Sequence, residues 1–202
     1  MHYDDDVPSG IDLRDPATAR TWTDEADAKR PYRHEVRLAI AALVHALPEP
    51  RRVLELGSGP GLLAEAILGD TIASYTCLDF SPPFLDMCRA RLGDRARYLL
   101  ADFLDPQWTT ALAPPYDAVV TMQAVHELRH KRRAATLYAQ VRSILRPGGL
   151  LVVCDHEPRD EEKWRRLFST RDEQHAALSA AGFTNITTHL EMHAMYIVSA
   201  SS

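Results

Sequence analysis

The run Val53-Leu54-Glu55-Leu56-Gly57-Ser58-Gly59-Pro60-Gly61 decides how the rest of this chain is read. An apolar, strand-like stretch passes directly into three glycines at alternate positions, and Leu62-Leu63-Ala64-Glu65-Ala66-Ile67-Leu68 then reads as a helix. Glycine has no Cβ and tolerates positive φ, so such a turn lets backbone approach a ligand closely. The helix that follows is expected to aim free N–H groups at that ligand. The nicotinamide fingerprint G-x-G-x-x-G needs glycine at position 62, where Leu62 stands, so the turn is of another kind.

Strands and helices alternate outward from this turn. Strands are expected over residues 52–56, 74–79, 97–101, 117–122 and 150–155. Val36, Ile40, Leu43, Val44 and Leu47 form one apolar stripe on a helix from His34, which Pro48 and Pro50 end. Ser81-Pro82-Pro83 opens a helix with Phe84, Met87, Cys88 and Leu92 on one face. Another helix, from about Arg129, turns Ala134, Leu137, Val141, Ile144 and Leu145 inward and stops at Pro147-Gly148-Gly149. A helix near 172–181 and two strands over 185–191 and 195–200 close the chain. The first thirty or so residues hold no clear period. The alternation predicts an α/β fold with a mainly parallel sheet covered on both faces.

Composition narrows the function classes. The 202 residues, 46% hydrophobic and 25% charged, suit one globular domain without repeats or linkers. A net charge of −5 argues against a nucleic-acid or membrane surface. Cys77, Cys88 and Cys154 lack C-x-x-C spacing, which suggests free thiols. Residues 1–6 are acidic with no apolar signal region, so a cytoplasmic location is expected.

In open parallel sheets the ligand lies beyond the carboxyl ends of the strands. The residues there are Gly57, Gly59 and Gly61 after the first strand, Asp79 after the second and Asp102-Phe103 after the third. Gln123-Ala124-Val125-His126-Glu127 follows the fourth strand and Asp155-His156-Glu157 the fifth. This ordered set resembles the class I S-adenosylmethionine-dependent methyltransferases from about Arg51 to Asp155, roughly half the chain. Leu145-Arg146-Pro147-Gly148-Gly149 matches that family's structural run before strand five.

The resemblance implies a Rossmann-like three-layer sandwich with a seven-stranded sheet and an antiparallel C-terminal edge strand. It implies S-adenosyl-L-methionine as cofactor, with Glu55, Gly57 and Gly59 at its methionine end and Gly61 completing the turn. Asp79 would hold the ribose and Phe80 pack on adenine, with Asp102 and Phe103 serving the adenine edge. Gln123 would line the methyl. Within one domain, residues 1–47 form a cap, 51–155 the cofactor half, and 156–202 a lid, helix and closing strand pair.

The expected reaction is in-line methyl transfer to a small-molecule acceptor. If that acceptor is a hydroxyl, a base helps. His126, at the exit of the strand facing the methyl, is the candidate, and His156 the second. The acceptor wall is expected from Trp22, Tyr32 and Arg33, and from Trp164, Arg165 and Phe168. No metal ligand is assigned. Two alternatives stay open: a zinc-dependent hydrolase, since His126-Glu127-Leu128-Arg129-His130 is a literal H-E-x-x-H, and a non-catalytic S-adenosylmethionine-binding module. Pro114-Pro115-Tyr116 lies at the entrance of the fourth strand, preceded by Ala113, and reads as a turn.

Overall fold

The computed structural model describes residues 6–202, so of the acidic N-terminal run only Asp6 falls among the described residues. The strands are β1 (Arg51–Leu56), β2 (Ile72–Asp79), β3 (Arg97–Leu100), β4 (Tyr116–Met122), β5 (Leu145–His156), β6 (Thr184–Met192) and β7 (Met195–Ser201). They form one sheet in the order β3-β2-β1-β4-β5-β7-β6. Neighbours from β3 to β5 pair in parallel. The C-terminal β7 runs antiparallel to both β5 and β6, which leaves β6 outermost. The order reverses between β1 and β4, so the crevice at their carboxyl ends is the topological switch point.

Burial on both faces explains the near-continuous apolar strands. Ala118, Val120 and Val152 face a core that includes Val36, Ile40 and Val44 of α2 (Arg33–His45) and Leu63 and Ile67 of α3 (Leu62–Ile67). Val119, Leu151 and Val153 face the opposite core, with Leu137 and Val141 of α5 (Ala134–Ile144) and Leu178 of α7 (Arg171–Ala180). Burying each such Val, Leu or Ile is worth about 1.5–3 kcal/mol. This is the expected three-layer sandwich.

Three local features differ from the sequence reading. The first thirty residues contain a helix, α1 (Pro16–Lys29), which begins where the Asp15 side chain accepts from Thr18 N–H and Pro16 supplies its first turn. That start signal, an acidic cap followed by proline, carries no apolar stripe, and only Ala19 and Ala26 of the helix are buried. The helix expected from Arg129 begins instead at Ala134, after two 3₁₀ turns over Val125–Leu128 and Lys131–Arg133. The charged stretch after β5 forms the short helix α6 (Glu162–Leu167). The remaining helix, α4 (Pro82–Leu92), is capped as expected by Ser81, whose hydroxyl accepts from Phe84 N–H.

Candidate active site

The glycine turn does its work by packing. A Cβ on Gly57 would lie 2.3 Å from the Ala124 Cβ, and one on Gly61 would lie 2.8 Å from Cys88 Sγ of α4. Gly57 brings the β1 exit against the β4 exit, and Gly61 seats α3 on α4. The turn's N–H groups are already committed. Gly57 N and Ser58 N both donate to Leu78 O, at 2.8 and 3.0 Å, and Gly61 N donates to Ser58 O. Gly59 N donates to Asp79 Oδ2 at 2.8 Å. Asp79, the end of β2 and Ser58 thus hold the turn in its shape, ahead of the helix N-terminus at Leu62. Around a Cβ on Gly59 there is open space.

A cavity of about 330 Å³ opens at the switch point, within the range of small-molecule sites. It brings together Glu55, Gly57, Asp79, Phe80, Phe103, Gln123 and His126. Gly59 and Gly61 shape the turn behind that wall. Asp102 stands apart, in an adjoining hollow with Arg14. Arg14 pairs with Asp102 at 3.2 Å and lies over the Phe80 ring at 4.7 Å. A strap over residues 7–14 thus crosses the expected adenine end. It is held by Arg129 Nε donating to Val7 O and by Ser81 Oγ donating to Leu13 O.

Burial sets the charge state of the carboxylates. Asp79 is 3% exposed. Burial pushes it up to about 6 against the bonds it accepts from Ser81 and Gly59 N–H. Burial also holds Glu55 well above the usual carboxylate range, although the Tyr75 hydroxyl donates to it at 2.8 Å.

At the β4 and β5 exits a histidine and an aspartate meet. His126 Nδ1 lies 2.9 Å from Asp155 Oδ1. Burial alone would lower His126, but the Asp155 charge and hydrogen bond, with Glu127, raise it above the ordinary histidine value. Burial likewise would raise Asp155, yet the interaction with His126 holds it low. Asp155 fixes the Nδ1–H tautomer, which leaves Nε2 as the basic atom. His156 behaves oppositely. Burial pushes it down to about 4, so it stays neutral and accepts from the Gln123 amide at 2.6 Å. The partnership of His126 with Asp155 was not read from the sequence; its signal is an acid at the end of the strand beside β4.

Of the expected acceptor wall, Trp22, Arg33, Trp164 and Phe168 line the cavity. Tyr32 stacks instead on His193 at 4.3 Å, and Arg165 reaches Asp160 at 4.0 Å. Phe168 lies edge-on to both His126 and His156, at 5.1 and 5.4 Å between ring centres. Four buried polar atoms of lining residues lack hydrogen-bond partners: Arg33 Nε and Nη1, Ser58 Oγ and Gln123 Oε1. Buried polar groups are normally paired, so these atoms mark where a polar ligand fits.

The H-E-x-x-H segment does not form a helical metal site. His126 belongs to one 3₁₀ turn, while His130 caps the next and accepts from Arg132 N–H at 3.1 Å. Among the described residues no group of three or more His, Cys, Asp or Glu side chains is arranged to hold a metal ion. No described helix is long and apolar enough to cross a membrane.

Comparison with known proteins agrees with this geometry. Residues 53–149 match a family model described as a methyltransferase domain. The chain is 31% identical over 150 residues to the hybrid PKS-NRPS synthetase lepA of Aspergillus flavus, covering 71% of this chain and 4% of that protein. It is 32% identical over 177 residues to the biotin biosynthesis bifunctional protein BioCD of Bordetella avium, covering 86% and 34%. A fatty-acid O-methyltransferase of Mycolicibacterium smegmatis is 28% identical over 185 residues, covering 90% and 61%. The chain therefore spans only part of these relatives. Among solved structures, S-adenosylmethionine-bound CalS10, an amino pentose methyltransferase of Micromonospora echinaspora, shares the fold with a TM-score of 0.73 at 19% identity, covering 90% of this chain and 96% of that one. The match across the glycine turn and the strands beyond it, on a sheet of this order, shows that the chain belongs to the class I S-adenosylmethionine-dependent methyltransferases.

Proposed function

We propose that the chain transfers a methyl group from S-adenosyl-L-methionine to a small-molecule acceptor, with His126 as general base. The observation that carries this reading is the cavity itself: buried atoms without hydrogen-bond partners on Ser58 and Gln123 at the β1 and β4 exits and on Arg33 at the start of α2, with the Asp79 carboxylate across the turn. These residues suit the cofactor's polar groups. A guanidinium matches an amino-acid carboxylate, oxygen acceptors match its ammonium, and Asp79 is an acceptor for ribose hydroxyls. Phe80 and Phe103 offer apolar faces for adenine, and Glu55 lies behind the methionine end. Arg33, expected in the acceptor wall, is reassigned here to the cofactor.

When bound, the cofactor supplies a sulfonium-activated methyl. The protein's part is to hold the acceptor oxygen in line and to exclude water, a contribution that reaches about 7–11 kcal/mol in well-oriented systems. His126 Nε2 would take the proton from an acceptor hydroxyl as that oxygen is methylated. Asp155 stabilises the resulting imidazolium. Such base assistance is typically worth ~10²–10⁴-fold. Residues 156–202 contribute a lid through α6, and the whole described chain works as one domain in this reading. The small-molecule acceptor is supported by the similarity to a fatty-acid O-methyltransferase and to the fold of an amino pentose methyltransferase.

Calorimetric titration with S-adenosylhomocysteine tests the proposal. One-to-one binding in the micromolar range is expected, lost in Asp79→Ala with the fold checked by circular dichroism. Absence of binding to folded protein overturns the proposal. Binding without transfer to a broad acceptor panel favours a non-catalytic module.

A further inference from the structure

The cavity wall built by the end of α1 and the start of α2 carries more positive charge than its surroundings balance. Arg30, Arg33 and Arg37 all line it. The carboxylate paired with them among the described residues is Asp27, which takes both Arg37 amino groups at 3.0 and 2.6 Å and lies 3.4 Å from Arg33 Nε. Arg33 is 6% exposed and its Nε and Nη1 make no hydrogen bond. The half-buried Arg30 side chain has neither an ion pair nor a hydrogen bond among the described residues. Three guanidiniums thus share one paired carboxylate, while the other carboxylates of the cavity, Glu55, Asp79 and Glu127, are bonded to Tyr75, to Gly59 and Ser81 N–H, and to Arg129. A cofactor carboxylate, on the reading proposed above, matches one more and leaves a guanidinium over. The guanidinium left over is that of the half-buried Arg30, at the cavity and free to take a second anion.

Across the cavity the surface is aromatic. Trp164 and Phe168 stack at 5.6 Å, and Phe168 meets the His126 ring edge. Arg159 and Lys163 both lie over the Trp164 ring, at 5.8 and 4.7 Å.

We infer that the acceptor is a small organic acid, its planar apolar body against Phe168 and Trp164, its carboxylate on Arg30, and its nucleophile presented to His126. The carboxylate is the anchor and not the methylated group, because a guanidinium fork engages its oxygen lone pairs. Arg30 is then the residue that sets acceptor specificity.

This inference rests on the methyltransferase reading, and the experiment separates the two. S-Adenosylhomocysteine is titrated first, and its failure to bind counts against that reading alone. Benzoate and its neutral counterpart benzamide are then titrated into the saturated protein, followed by tryptophan fluorescence and NMR. Benzoate is expected to bind at least tenfold more tightly than benzamide. Arg30→Gln should shrink that ratio below threefold while S-adenosylhomocysteine still binds, and Arg30→Glu should turn the preference towards benzamidine. Equal binding of acid and amide, absent binding of both, or a ratio unaltered in Arg30→Gln overturns the inference.

Discussion

The two walls of the cavity are built in different ways. The cofactor wall is backbone geometry: Gly57 pressed against Ala124, the turn N–H groups bonded to Leu78 and Asp79, and Asp79 bonded again to Ser81. The proposed acceptor wall is side chains from α1 and α6, held by ring stacking and by cations over rings, such as Lys163 over Trp164 at 4.7 Å. Backbone geometry admits few residue types at each position, whereas rings and guanidiniums can be exchanged without disturbing the sheet. On the function proposed, one wall serves the cofactor and the other is free to specialise.

The largest expected effect that separates the walls is Gly57→Ala. Its Cβ would meet Ala124 at 2.3 Å, at a φ of +69°. Overpacking and the left-handed backbone together are expected to cost about 2–5 kcal/mol in urea unfolding. Gly59→Ala, with φ +52° but open space around its Cβ, should cost only about 1–2 kcal/mol. Similar losses in the two variants would break the claim that close packing fixes the first glycine.

Next in size is the His126–Asp155 pair, which belongs to neither wall. His126→Ala is expected to slow transfer by about 10²–10⁴-fold while S-adenosylhomocysteine binding changes little. Because Asp155 raises His126, the acid limb of kcat/KM should lie above the ordinary histidine value of 6.5. Asp155→Asn should move that limb to lower pH; an unmoved limb assigns the ionisation elsewhere. The same shifts sign the stability. The His126 contribution is full below 6.5 and lost as pH rises through its raised folded value. The Asp155 contribution is present above 3.8 and lost as pH falls through its lowered one.

Smaller again is the pH dependence of cofactor affinity. With Asp79 near 6, S-adenosylhomocysteine binding should weaken as pH falls below that value, by at most about tenfold per unit. Titrations at pH 5, 6 and 7 check it, and Asp79→Asn should flatten the profile. The smallest effect is expected far from both walls. The Thr170 hydroxyl and Glu173 form a reciprocal cap at the start of α7. Thr170→Ala should cost about 1 kcal/mol of stability and leave cofactor binding intact.

Legibility in the sequence follows the same division. Strand positions, the glycine turn and the acids Glu55 and Asp79 near the ends of β1 and β2 were readable because backbone demands restrict residue type. The polar helix α1 was not, because it buries mainly alanines and shows no apolar period. Nor was the separation of Asp102 from the cavity, since its partner Arg14 lies 88 residues away in the chain. The dyad was half visible: His126 by its place after β4, but not its pairing with Asp155, which depends on how two strand exits meet. Arg30 gave no local signal, since a surplus of charge is a property of an assembled surface.

The strap over residues 7–14 joins features otherwise described separately. At one end Arg129 ties Val7 to the turn that carries His126, and at the other Arg14 and Leu13 fasten to Asp102, Phe80 and Ser81. Ile11 and Leu13, between these anchors, roof the cavity. Ile11 and Leu13 line the adjoining hollow as well, so one short segment roofs both spaces. A change at either anchor, Arg129 or Arg14, is therefore felt over both at once.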